Sequence, residues 1–83
     1  MLVILEDLML MEKQEKRDKD NKLVYEFVCF QRGYKNLVTI KEIPQDLFND
    51  ISEGTTLNLK TKMTVWGNNN NYGASFKFNS IVA

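Results

Sequence analysis

Thr55 to Trp66 reads TTLNLKTKMTVW, and the alternation inside it decides the fold class. Successive side chains on a strand point to opposite faces. Leu57, Leu59, Thr61, Met63 and Val65 therefore share one face, while Thr56, Asn58, Lys60, Lys62, Thr64 and Trp66 share the other. The first set suits a core. The second is a wet face with two lysines, small polar side chains and a terminal indole, the ring best suited to stack on a flat partner. The alternative place for Trp66 is a plug at the end of the core.

Upstream of this strand, Ile43-Pro44 marks a break, because proline disfavours a helical residue before it and fits a first helical turn. Leu47, Phe48 and Ile51 then form one helical stripe over Gln45 to Glu53, Asp46 suits the helix dipole, and Gly54 is placed to end the helix. Downstream, Gly67 to Gly73 is so rich in Asn and Gly that it reads as a polar loop. Ala74 to Val82 closes the chain as a strand, with Ala74, Phe76 and Phe78 alternating with Ser75, Lys77 and Asn79.

The first half is also β in character. Leu23 to Phe30, LVYEFVCF, is the richest β segment. Tyr25, Phe27 and Cys29 share one face, and Val24, Glu26, Val28, Phe30 and Arg32 the other, so both faces are partly apolar, as in a strand bending across a small barrel. A turn through Gly33 leads to a third strand, Asn36 to Glu42, with Val38 and Ile40 as its core pair. Residues 2–11 match helical spacing as well as strand, but they run into a charged hairpin. That favours a strand followed by a second short strand. Met9–Arg17 would pair with Lys22–Gln31 around a turn at Asp18-Lys19-Asp20-Asn21, residues that tolerate tight-turn angles.

Eighty-three residues make a single domain, 1–83, around one small core. At 43% hydrophobic and 27% charged, the composition is that of a soluble globular chain rather than a disordered one. No apolar run approaches the roughly 20 residues that span a bilayer. The opening MLVILEDLMLM holds Glu6 and Asp7 and lacks a basic start, so no signal peptide is expected. One cysteine, Cys29, reads as a small buried hydrophobe in a reducing cytoplasm.

The same composition argues against an enzyme. Without histidine there is no triad, nor the commonest proton shuttle and metal ligand. One cysteine excludes a structural zinc cluster, and the four glycines stand singly rather than in a phosphate loop. No cofactor and no metal are expected. Formal net charge is zero, but it is segregated: residues 43–53 carry Asp46, Asp50 and Glu53 without a base, and residues 54–83 carry Lys60, Lys62 and Lys77 without an acid. A neutral chain with that distribution can still present a positive groove.

Three strands, a short helix, then two strands is the order of an OB-like five-stranded barrel. IPQDLFNDISEGTTLNLK resembles the helix-to-fourth-strand passage of OB-fold single-strand DNA-binding proteins. NNYGASFKFNSIV is similar to the last hairpin of filamentous-phage single-strand binding proteins, and KRDKDNKLVYEFVCFQRGYKNLVTIKEIP resembles small replication accessory proteins of Gram-positive conjugative elements. The chain departs from them in being neutral where they are often more basic. The resemblance implies binding of single-stranded DNA, or RNA, with little sequence preference; a homodimer is expected because a small barrel with a limited core gains stability from a two-fold partner. It further implies replication or transfer of a phage or mobile element, beside a helicase or polymerase.

Such proteins combine a positive groove with aromatics that stack on bases. The candidates for phosphate contact are Lys60, Lys62, Lys35, Arg32 and Lys77, with Lys16 and Arg17 on the hairpin. Trp66, Tyr34 and Tyr72 are the stacking candidates. Phe27, Phe48, Phe76 and Phe78 lie on apolar stripes and read as core, and Tyr25 and Phe30 fit either role. The alternative is a protein–protein module, an adaptor using an exposed β edge or the apolar start Leu2 to Met11.

Overall fold

Strand β1, Leu2–Arg17, is shared between two neighbours, and this sharing closes the barrel. The remaining elements are β2 (Leu23–Gln31), β3 (Val38–Lys41), α1 (Gln45–Asp50), β4 (Thr56–Asn68) and β5 (Asn71–Ile81). This computed structural model describes residues 1–33, 37–68 and 71–82, with the side chains of Asn68, Asn71 and Tyr72 outside the described set. The strands form a closed barrel in the order β1-β2-β3-β5-β4. Only the β3–β5 pairing is parallel. The expected OB-like barrel with one short helix between strands three and four is the observed architecture.

β1 pairs with β4 from Leu2↔Lys62 to Leu5↔Leu59 and again at Leu8↔Leu57 and Met9↔Thr56, and it pairs with β2 from Leu8↔Gln31 to Arg17↔Leu23, so Leu8 and Met9 have partners on both sides. The β1–β4 register shifts at a bulge, Glu6–Asp7, where Asp7 adopts φ 55. Two hydrogen bonds hold it: the Asp7 N–H donates to Asn58 Oδ1 at 2.9 Å, and Gln31 Nε2 donates to the Glu6 carbonyl at 3.2 Å. Residues 2–11 are thus one bulged strand rather than two strands or a helix, because a bulge bends a strand without ending its ladder.

Inside lie Leu8, Leu10, Phe27, Cys29, Ile40, Leu59 and Thr61, all fully buried. The inward face expected for β4 holds for Leu57, Leu59 and Thr61, and Met63 is half-buried, but Val65 is 63% exposed. The last part of β4 outruns the barrel, so its inner face loses its cover. The buried Thr61 hydroxyl donates to the Val3 carbonyl at 3.1 Å, which satisfies the one polar group facing the core on this strand.

Helix α1 closes one barrel end through Phe48, whose ring sits 4.5 Å from Tyr25 and 6.2 Å from Phe27 between centroids. Lys13 Nζ lies 5.1 Å from the centre of the Phe48 ring and donates to the Phe48 carbonyl at 3.0 Å. The helix ends earlier than Glu53: Ile51 turns extended and its N–H donates to the Leu47 carbonyl at 3.1 Å. Gly54, at φ 93, serves the turn into β4 instead. The expected loop from Gly67 to Gly73 is mostly ladder, with Trp66↔Gly73, Gly67↔Tyr72 and Asn68↔Asn71 paired. Pairing with an adjacent antiparallel strand outweighs the weak β propensity of Asn and Gly.

Burial pushes the Cys29 thiol from 9.0 up to about 11. An acid kept neutral in the fold gives a stability contribution that is complete below its unfolded value and lost as pH rises through its folded value. Relative to Cys29→Ala, the wild-type chain should therefore lose about 2–3 kcal/mol between roughly pH 9 and 11. Parallel urea titrations of the two chains across that range check this.

Candidate nucleic-acid interface

On β4, residues 60, 62, 64 and 66 point outward, and the cross-strand register supplies their neighbours. Lys62 pairs with Lys77 across β4–β5, and Lys77 pairs with Lys41 across β5–β3. Directly opposed residues share a face, with neighbouring strands about 5 Å apart. Three lysines therefore stand side by side on three consecutive strands. Like charges set directly opposite one another destabilise a sheet. Their one acidic partner among the described residues is Glu42, whose Oε1 is 3.9 Å from Lys77 Nζ, and both side chains are largely exposed. Lys60 extends the face from the next outward position, opposite Ser80.

Two residues along from the lysine row stand Thr64 and Ser75, paired with each other, and two further on stand Trp66 and Gly73. The face is layered into cations, hydroxyls and an indole. Trp66 is 51% exposed and does not plug the core. Its six-membered ring lies so close over Gly73 that a Cβ there would collide with it. The glycine thus gives the indole a seat against bare backbone. Because β3 and β5 pair only at Ile40↔Phe76 and Lys41↔Lys77, the strands diverge beyond that point. A groove of about 340 Å³ opens there, lined among others by Leu37, Thr39, Lys41, Trp66 and Ser75.

The other expected site residues fall elsewhere. Arg32 lies with Asp7, Met9, Phe30 and Thr56 around a second groove, centred on β1. Arg17 Nη1 donates to the Asn21 carbonyl at 3.0 Å and so braces the β1–β2 turn. Lys16 Nζ sits 3.2 Å from Oε1 of Glu26, a carboxylate only 8% exposed. That oxygen has no hydrogen bond of good geometry, so the contact is an ion pair by distance alone. Removing Lys16 would leave a buried charge uncompensated, which makes it a structural residue first. Tyr34 and Lys35, with the expected start of β3 at Asn36, lie outside the described residues. Tyr72 pairs with Gly67 through its backbone, and its side chain is outside the described set. Of the two aromatics that fitted either role, Tyr25 packs against the core and Phe30 is 40% exposed in the β1 groove.

Lys41 is the one member of this lysine row that the sequence did not single out. Its neighbours within the third strand give no signal, and only the parallel closure of β3 on β5 brings it beside Lys77.

Gly73→Ala should displace the indole rather than unfold the chain, since the clash is with a half-exposed side chain. The expected result is a shifted Trp66 emission maximum with the melting temperature nearly unchanged. An unaltered emission spectrum would mean that the ring does not rest there. No family model, characterised protein or solved structure matches this chain.

Proposed function

We propose that this barrel binds single-stranded nucleic acid across the outer face of β4, β5 and β3, with little sequence preference. The observation that carries the reading is the aligned row Lys62–Lys77–Lys41 sharing a face with the exposed indole of Trp66. Adjacent lysines repel one another, and an anion spanning them relieves that repulsion. Phosphates meet the lysines and a base stacks on the indole, the pairing of contacts used by sequence-tolerant single-strand binders. The hydroxyls of Thr64 and Ser75 lie between the two and suit the sugar. Nothing in this arrangement reads base edges in a fixed order, hence the weak sequence preference.

The test is a fluorescence titration with short oligonucleotides, Trp66 being the chain's one tryptophan. Binding should quench its emission and weaken steeply with salt, as expected when phosphate contacts release counterions. Trp66→Ala should weaken binding by about 1–3 kcal/mol, the usual contribution of one stacked base, measured by anisotropy of a labelled oligonucleotide. If no oligonucleotide binds at low salt, the proposal fails and the protein–protein reading takes its place.

A further inference from the structure

Where β3 and β5 separate, the layered outer face continues across the gap between them. Parallel partners keep a constant offset, so Ile40↔Phe76 and Lys41↔Lys77 fix the levels of the residues before them. Thr39 stands level with Ser75, Val38 with Ala74, and Leu37 with Gly73, on which the indole of Trp66 is seated. Alternate residues share a face, so the outward series on one wall is Lys41, Thr39 and Leu37. On the other wall it is Lys77, Ser75 and Gly73 with its indole. Cation stands by cation, hydroxyl by hydroxyl, and Leu37 by Trp66. Leu37 and Trp66 are 56% and 51% exposed, two large apolar side chains in water on opposite walls of one groove of about 340 Å³.

Between these walls the floor is apolar, made by the inward-facing Val38 and Ala74. The far edge of β3 is bonded to β2, and that of β5 to β4. Before Ile40↔Phe76 the two facing edges have no ladder partner among the described residues, so alternate N–H and C=O groups open into the gap. Two unpaired levels, at about 3.3 Å per residue, make an opening about 7 Å long before Leu37 and Trp66 are reached. That is short for a peptide strand, which usually runs three residues or more. It suits one flat ring system with donors and acceptors on its rim. The described residues lining the gap include a lysine and no acid, so the ring that fits is one joined to an anion. A nucleobase on its phosphate-bearing sugar has that chemistry.

We infer that the gap between β3 and β5 takes one nucleobase of the bound strand, clamped between the indole of Trp66 and the side chain of Leu37. The clamp rests on the nucleic-acid reading of this face and adds to it a second jaw and a fixed place for a base. Stacking on the indole alone leaves the far side of the base in water. Leu37 covers that side, and the exposed apolar surface of both jaws is buried. A paired base reaches the gap only by leaving its stack, so the clamp favours single strands over duplex.

Anisotropy titrations at low salt with a labelled short oligonucleotide, and with a base-free deoxyribose-phosphate strand of the same length, test the clamp. Leu37→Ala should weaken binding of the oligonucleotide about three- to tenfold, the effect of losing a half-buried leucine contact. Its salt slope should stay unchanged, because no phosphate contact is lost. Affinity for the base-free strand should not change, since the jaw then has nothing to hold. Leu37→Phe, which keeps an apolar jaw, should restore the affinity. Leu37 is exposed, so both variants should melt at the parental temperature. Oligonucleotide binding that quenches Trp66 yet is indifferent to Leu37→Ala overturns the clamp and leaves the lysine face standing. An equal loss for both strands overturns it too, by placing Leu37 against the backbone. A wild-type chain that binds neither strand overturns the clamp and the nucleic-acid reading together.

Discussion

Replacing Lys41, Lys62 and Lys77 together by alanine is expected to lower single-strand affinity on the order of a hundredfold at about 50 mM salt. The estimate follows from counterion release. Each phosphate contact on a single strand contributes about 0.7 to the slope of log affinity against log salt, so losing three should make the slope shallower by about 2. The folded state should not suffer, because the substitutions remove like charges placed directly opposite one another. The one ion pair lost among the described residues, Lys77 with Glu42, is exposed and contributes little. A melting temperature equal to or above that of the parent is therefore part of the expected result. Substituting Lys41 alone is the sharpest arm, because only the barrel closure connects this residue with the other two. Affinity and salt slope that stay at parental values in the triple variant would refute the lysine row as the binding face.

The second large effect lies at the closed end of the barrel. Phe48→Ala is expected to cost about 3–5 kcal/mol, the usual range for emptying a buried aromatic site. Phe48 is 8% exposed, packs on Tyr25 and Phe27, and lies under the Lys13 ammonium. Helix α1 has only six residues and can offer little else to hold itself in place. A chain of 83 residues has a total stability of roughly 4–12 kcal/mol. The variant should therefore unfold at much lower urea, or not fold at all. Phe48→Leu keeps most of the apolar volume and should retain the fold with a modest loss. An unfolding free energy for Phe48→Ala within about 1 kcal/mol of the parent would show that the helix is an ornament on the barrel rather than its closure.

The two effects separate what each region does. One face can lose its charges without loss of fold, whereas one barrel end cannot lose its ring. Between them lies Trp66, whose seat on Gly73 links local packing to the proposed binding face: displacing the ring should change binding while the barrel stays intact.

Much of this arrangement is a local property of the chain. Strand alternation needs no knowledge of the fold, so the separation of Leu57, Leu59 and Thr61 from Lys60, Lys62 and Trp66 can be read directly from residues 55–66. The same holds for Phe76 and Phe78 against Lys77, for the hairpin at Asp18 to Asn21, and for a short helix after Pro44. Strand neighbours and strand ends, by contrast, come from long-range pairing and burial. The parallel closure of β3 on β5 set Lys41 beside Lys77, and pairing drew Gly67 and Asn68, with Asn71 to Gly73, into strands that their composition disfavours. The curvature of the barrel carried Arg32 away from the other bases, and β4 outran the core and left Val65 in water. Faces follow from a two-residue period written in the sequence; neighbours follow from which segments can bury one another, and only the folded chain decides that.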